Sequence, residues 1–376
     1  MIFNKLNNKI TLVFLVFLIS KVIVFLVMYA FGCRKMWEGC FAHWDSALYI
    51  SIANEGHTLF DCNYPNNPQW CGNAGWSPLY PLLMRIIHEI THYSMEHSGG
   101  IVSTIFYFFY LQYMVRLFGF EKINANSIIS LFICAFFPGF IYLHAVFPLS
   151  LCLFLIAAFI YHLRQKDFIY CGILAMFLSW SYSSGLFILL PIGLYFLGIF
   201  IYEKRIAWKE GLKVFLPVSV GLLILYGYDY WALGHWNAMF LVQQKYSHGF
   251  YSLWSMLTAR FGRLCENITN PNGIIQLQNF FVFGLVFWLL LSVIREFRGD
   301  KFDKPELLFY IGLIVAYWFL PFSMGLEISL YRGSIMLAVL TFLWQDKSLD
   351  FKIMLLISCA IFVFPMAAYF YKEIMI

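Results

Sequence analysis

The chain has 376 residues and a net charge of +5, with 61% hydrophobic side chains and only 12% charged ones. A soluble domain carries about a quarter charged residues, so this composition excludes an ordinary soluble enzyme. No basic run points to nucleic acid. The mean hydropathy is +0.74, and the length admits several membrane spans of about 20 apolar residues each.

In chain order, Lys5 and Lys9 precede an apolar run over 10–32. That run is too long for a signal-peptide core and lacks a small-residue cleavage site, so it reads as a retained helix. Lys21 interrupts it, and a mid-span lysine is expected to face other helices or snorkel. Further spans are expected at 100–118, 126–143, 146–163, 168–180, 185–202, 211–233, 279–294, 306–320, 333–345 and 353–371, about 11 in all. The expectation is an all-α polytopic protein in which 1–376 forms a single transmembrane domain. Ser179, Ser181, Ser183, Ser184 and Gly185 break the hydrophobic pattern between the fifth and sixth spans. Broken backbone at membrane depth needs protein or a water-filled cavity around it.

Lysine and arginine concentrate in the loops on one side, including Arg164, Lys166, Lys204, Arg205, Arg295 and Arg298. The positive-inside rule then puts the amino terminus in the cytoplasm and the long loops at about 33–99 and 234–278 outside it. Cys33, Cys40, Cys62 and Cys71 cluster in the first of these loops. One or two disulfides are expected there, with all pairings open. A zinc site is the other reading, disfavoured because no tight C-x-x-C pair is present. There is no Walker loop, no GxGxxG after a strand and no H-E-x-x-H. Asn267-Ile268-Thr269 is a glycosylation sequon, meaningful only in a eukaryote.

The first loop opens with His43-Trp44-Asp45, and Trp44, Leu48, Ile52 with Tyr49, Ala53 follow at helical spacing. This predicts a short interfacial helix anchored by Trp44. Asp45 at its start is either a helix cap or a carboxylate offered to a substrate. Trp76 to Leu83 contains Pro78 and Pro81, which limit helix formation, and its apolar residues return the loop to the bilayer near Asp45. Arg332, within Ser329-Leu330-Tyr331-Arg332-Gly333, needs a negative partner. That partner is Glu327, with snorkelling as the alternative, or a substrate phosphate, which guanidinium forks well. Aromatics and amides in Gly234–Phe240, with Gln243, Gln244 and Tyr246, suit either sugar binding or an interfacial loop. His57, His88, His92 and His97 show no metal-binding spacing.

These residues together resemble the class C (GT-C) polytopic glycosyltransferases, nearest to the family of the second mannosyltransferase of glycosylphosphatidylinositol assembly, which has bacterial members. The matching residues are Trp44-Asp45, Ile52-Ala53-Asn54-Glu55-Gly56, Pro78-Leu79-Tyr80-Pro81-Leu82-Leu83, Phe137-Pro138-Gly139, Ser184-Gly185 to Pro191, Gly234 with Phe240 and Gln243 or Gln244, and Arg332. They run in family order over nearly the whole chain.

The resemblance implies transfer of a sugar, mannose in that family, from a polyprenyl- or dolichyl-phosphate donor to a lipid-linked or protein acceptor. Asp45 would be the base and Arg332 the contact to the donor phosphate. His43, Trp44, His57, Tyr80, Gln243, Gln244 and Tyr331 are the further expected substrate contacts. Membrane lipids are expected neighbours and a protein partner is admissible, while neither metal nor cofactor is expected. The active side would be periplasmic at a bacterial inner membrane, or lumenal at the endoplasmic reticulum. The chain departs from the family at His43 and His57, at Leu149 where a glutamate is usual, and at Tyr182 where an arginine is usual. An inactive membrane partner protein and a lipid or sugar transporter are the alternatives from other classes.

Overall fold

The computed structural model describes residues 2–34, 39–62, 69–244, 252, 254–255, 258, 271–299, 301–324, 330 and 332–372. The described residues are mostly helical. Among the described residues, seven helical stretches are long and apolar enough to cross a membrane: Asn8–Ala30, Met95–Phe118, Ser183–Glu203, Trp208–Leu233, Leu277–Glu296, Lys304–Ser323 and Leu349–Tyr371. Four shorter apolar helices, Ala125–Phe136, Leu149–Arg164, Phe168–Ser181 and Ser334–Trp344, fall on the remaining expected spans. The protein is a polytopic integral membrane protein.

The first helix, α1 (Ile2–Ala30), lies against α4 (Met95–Phe118) and α5 (Ala125–Phe136). Lys21 faces inward, and its Nζ donates 2.9 Å to the Thr104 hydroxyl of α4. Between α1 and α4 stand α2 (Asp45–Glu55), a two-stranded hairpin and α3 (Leu79–Thr91). Strand β1 (Leu59–Asp61) pairs antiparallel with β2 (Trp70–Gly72). Disulfides join Cys33 to Cys40 and Cys62 to Cys71. The second of these closes the hairpin, and neither leaves a thiolate for zinc.

Two expectations fail here for local reasons. Pro78 and Pro81 do not prevent a helix, because α3 begins at Leu79 and keeps Pro81 within its first turn, where the missing N–H has no helical partner to lose. The span expected over 126–143 ends at Phe136. Gly139 then adopts φ +91°, a conformation that strains any residue with a Cβ, and the chain turns back into the protein.

From Phe137 to Pro148 the backbone is irregular apart from one 3-10 turn, and it is buried throughout. Its polar groups are held from outside. Val146 N–H donates to Phe41 O at 2.8 Å, Ser46 to Val146 O at 2.9 Å, Ser103 to Ala145 O at 2.8 Å and Ser334 to Pro138 O at 3.3 Å. Non-helical chain survives at membrane depth only when it is enclosed in this way.

The second half continues through α6 (Leu149–Arg164), α7 (Phe168–Ser181), α8 (Leu189–Gly198), α9 (Trp208–Leu233) and α10 (Ala238–Gln244). The expected break between α7 and α8 is present. Tyr182 is extended and a 3-10 segment, Ser183–Ile188, follows. Gly185 is required there, because a Cβ would collide with the Leu178 carbonyl. After α11 (Pro271–Glu296) and α12 (Lys304–Ile314) comes the 3-10 helix Ser334–Trp344, every residue of which is buried. The last stretch bends between α13 (Leu349–Ala360) and α14 (Val363–Tyr371).

Candidate functional site

The site is built around the amino-terminal end of α2. Asp45 does not act as the helix cap. Trp44 holds the cap position with φ 52°, and no side chain bonds the open N–H groups from it. A positive φ on a bulky residue is strained and persists only where packing enforces it. The packing is visible, since the Trp44 and His43 rings both meet the edge of Phe370 on α14, each 5.1 Å away. Trp44 therefore anchors α2 to the last helix.

This strained turn releases the Asp45 side chain toward Arg332, whose Nη1 donates to Asp45 Oδ2 at 2.8 Å. The two are 287 positions apart in sequence. The carboxylate is 20% exposed and the guanidinium 14%, so the pair sits at the edge of the interior. The guanidinium also lies 5.5 Å from the Phe147 ring, which the enclosed segment before α6 supplies. Tyr182, at the break after α7, has its ring 6.4 Å from the same phenyl group.

Beneath the pair is Tyr49, fully buried one turn along α2. Burial pushes its phenol well above the ordinary value, Tyr182 and Asp45 push the same way, and Arg332 opposes them. Tyr49 thus stays neutral beside the two charges. The arrangement offers one carboxylate, one guanidinium that can fork a phosphate, and a floor of aromatic rings.

The other expected site residues are distributed as follows. Tyr80 is not next to the pair. Its hydroxyl donates to Gly99 O at 2.9 Å and meets Ser103 Oγ at 2.8 Å, so it braces the serine that holds the enclosed segment, and its ring meets Tyr49 edge-on. His57 lies beyond the opposite end of α2. Its Nε2 bonds to Trp76 O at 2.9 Å, its ring meets Tyr228 at 5.7 Å, and burial lowers its pKa below 6.5 despite that bond. Gln243 Nε2 donates to Gly75 O at 3.0 Å, fastening α10 to the first loop, whereas Gln244 is exposed. Tyr331, Glu327 and Tyr246 lie outside the described residues.

One acidic residue escaped the pattern reading. Asp229 on α9 is 4% exposed and makes no hydrogen bond or ion pair with the described residues. An aspartate inside an apolar stretch was the available signal. It stands one turn beyond Leu225 on the buried face of α9.

The class is fixed by these observations as a polytopic, mostly helical membrane protein with an Asp–Arg pair at the start of its first loop helix. Comparison with protein-family models gives no match, and comparison with curated proteins gives none either.

Proposed function

We propose that the chain is a class C membrane glycosyltransferase that moves a sugar from a polyprenyl-phosphate donor to a lipid-linked or protein acceptor. The reading includes about 11 membrane crossings, formed by the seven long and four short apolar helices together, with Asp45 on the extracytoplasmic side. Mannose is the sugar that the sequence resemblance implies. The observation that carries the proposal is the meeting of Asp45 and Arg332 at 2.8 Å. The two residues with opposite chemical tasks in the expected reaction share one place.

The chemistry follows from their types. Asp45 takes the proton of the acceptor hydroxyl, and the oxygen attacks the anomeric carbon from the face opposite the phosphate. As the new C–O bond forms, the bond from that carbon to the phosphate oxygen breaks. The lipid phosphate leaves with the electron pair, and its growing charge is met by Arg332. The product has inverted configuration. In the resting structure the base and the phosphate ligand neutralise each other. A bound donor phosphate draws Arg332 away and frees Asp45, so the donor is expected to bind before the acceptor hydroxyl is deprotonated.

The test is sugar transfer by purified protein in nanodiscs, with polyprenyl-phosphate mannose, a pool of lipid acceptors, and Asp45→Asn beside the wild type. Transfer that vanishes in the folded variant supports the proposal. A retained anomeric configuration would sink the single-step mechanism. The same ion pair also favours a second reading, an inactive membrane partner protein in which Asp45–Arg332 is only a structural clasp. Absence of turnover with several lipid-linked sugars, together with co-purification of a second membrane protein, would select it.

A further inference from the structure

The carboxyl-terminal end of α2 borders a groove that the reaction above does not use. Its volume is about 320 Å³, and α2, α3, α7 and α9 form its walls, with Ile52, Leu82, Trp180, Leu225 and Tyr228 among the lining residues. His57 closes one side, its Nε2 already engaged with Trp76 O. Leu82, Ile86, Ile90 and Ile224 stand exposed on the same helices, which marks this flank as bilayer-facing in a polytopic protein.

One lining residue breaks the apolar pattern. Arg85 is exposed and makes no ion pair among the described residues. It follows Leu82 by three positions, so both project from one face of α3. A guanidinium at the mouth of an apolar, bilayer-facing groove matches an amphiphile with a phosphate next to its hydrocarbon.

We propose that this groove binds one membrane glycerophospholipid, its phosphate on Arg85 and an acyl chain between Leu82 and Leu225. The lipid is a fixed structural ligand and not a reactant. Ile52 lies seven positions from Asp45 on α2, roughly 10 Å along the axis, with the buried Tyr49 between them in the chain. Its effect is to tie the far end of α2 to α3 and α9 and so hold the near end in register with Arg332.

The experiment uses the full chain in nanodiscs doped with phosphatidylglycerol carrying a diazirine on one acyl chain. Photolabelling on peptides containing residues 78–85 and 224–228 is expected. It should fall about tenfold, the equivalent of 1.4 kcal/mol, in Arg85→Ala, in Leu225→Trp, and when the probe is diacylglycerol, which lacks the phosphate. Arg85→Lys should keep part of the label, separating lost charge from lost fold. Equal labelling of wild type and Arg85→Ala, or label spread evenly over all lipid-facing helices, would overturn the proposal. Displacement of the probe by polyprenyl phosphate at equal concentration would overturn the assignment of a non-reacting lipid. None of these readouts depends on turnover.

Discussion

The two ends of α2 stand in opposite surroundings. At the amino-terminal end, a strained Trp44 turn, a carboxylate and a guanidinium from 287 residues away are packed among aromatic rings. At the carboxyl-terminal end, Asn73 does the fixing. Its Oδ1 accepts from Thr58 N–H at 2.7 Å, and its Nδ2 donates to Ser51 Oγ and Gly56 O. Gly56, which Asn73 holds, lines the apolar groove. One end spends its order on a partly buried charged pair. The other uses a neutral amide to fix a helix end beside an apolar groove. A single charge substitution should therefore matter far more at the first end than at the second.

The largest expected effect is on transfer itself. Asp45→Asn removes the proposed base and should lower turnover by roughly 10²–10⁴-fold with the donor still bound, as a rate assay and a donor-binding assay together would show. If donor binding collapsed instead, Asp45 would be a scaffold for Arg332 and the two roles would have to be exchanged.

Stability comes next. Arg332→Ala leaves the partly buried Asp45 unpaired and should cost up to about 3 kcal/mol, read as a lower unfolding midpoint. The swapped pair Asp45→Arg with Arg332→Asp should recover much of that stability and none of the transfer. Recovery of both would reduce the pair to a clasp.

The hairpin disulfide is a milder test of the far end. Cys62→Ser with Cys71→Ser should cost about 2–3 kcal/mol in the loop, read as faster proteolysis between β1 and β2 with the membrane helices intact. Gly139→Ala, at φ +91°, should cost about 1–2 kcal/mol, and it acts on the first end because the enclosed segment carries Phe147.

The smallest effect concerns pH. The folded pKa of His57 lies below its unfolded value of about 6.5, so the unfolded chain takes up the proton first. The stability this gives is full above that value and is lost as the pH falls below it. Trp76 fluorescence should report loosening of the loop on acidification through 6.5, and His57→Gln should remove the dependence. Loosening that persists in the variant would place the acid-sensitive group elsewhere.

Much of this fold was readable because membrane helices advertise themselves. Apolar length and periodicity located α4 and α9 within five residues at each end, and the carboxyl-terminal end of α1 within two, and the serine-rich interruption announced the break at Tyr182. What failed was tertiary in origin. The chain turn at Gly139 depends on carbonyls being received by Ser46, Ser103 and Ser334, three donors scattered through the sequence. Arg332 was recognisable as a residue in need of a negative partner, yet the local candidate was Glu327. No periodicity links Arg332 to Asp45. Trp44 is expected beside an interfacial helix, and only the path of α14 reveals its contact with Phe370. Asp229 lies in a stretch whose apolar length alone defines a span, and its burial depends on which face of α9 packs inward.

The enclosed segment from Phe137 to Pro148 also has a consequence for biogenesis. Its anchoring donors belong to α2, to α4 and to the late helix that begins at Ser334. Until that last helix leaves the ribosome, one carbonyl of the segment has no protein donor, and lipid can supply none. The nascent chain is therefore expected to remain with the insertion machinery until nearly all of it has been made. A chain stopped before Ser334 should be held or degraded, however well its earlier helices enter the bilayer.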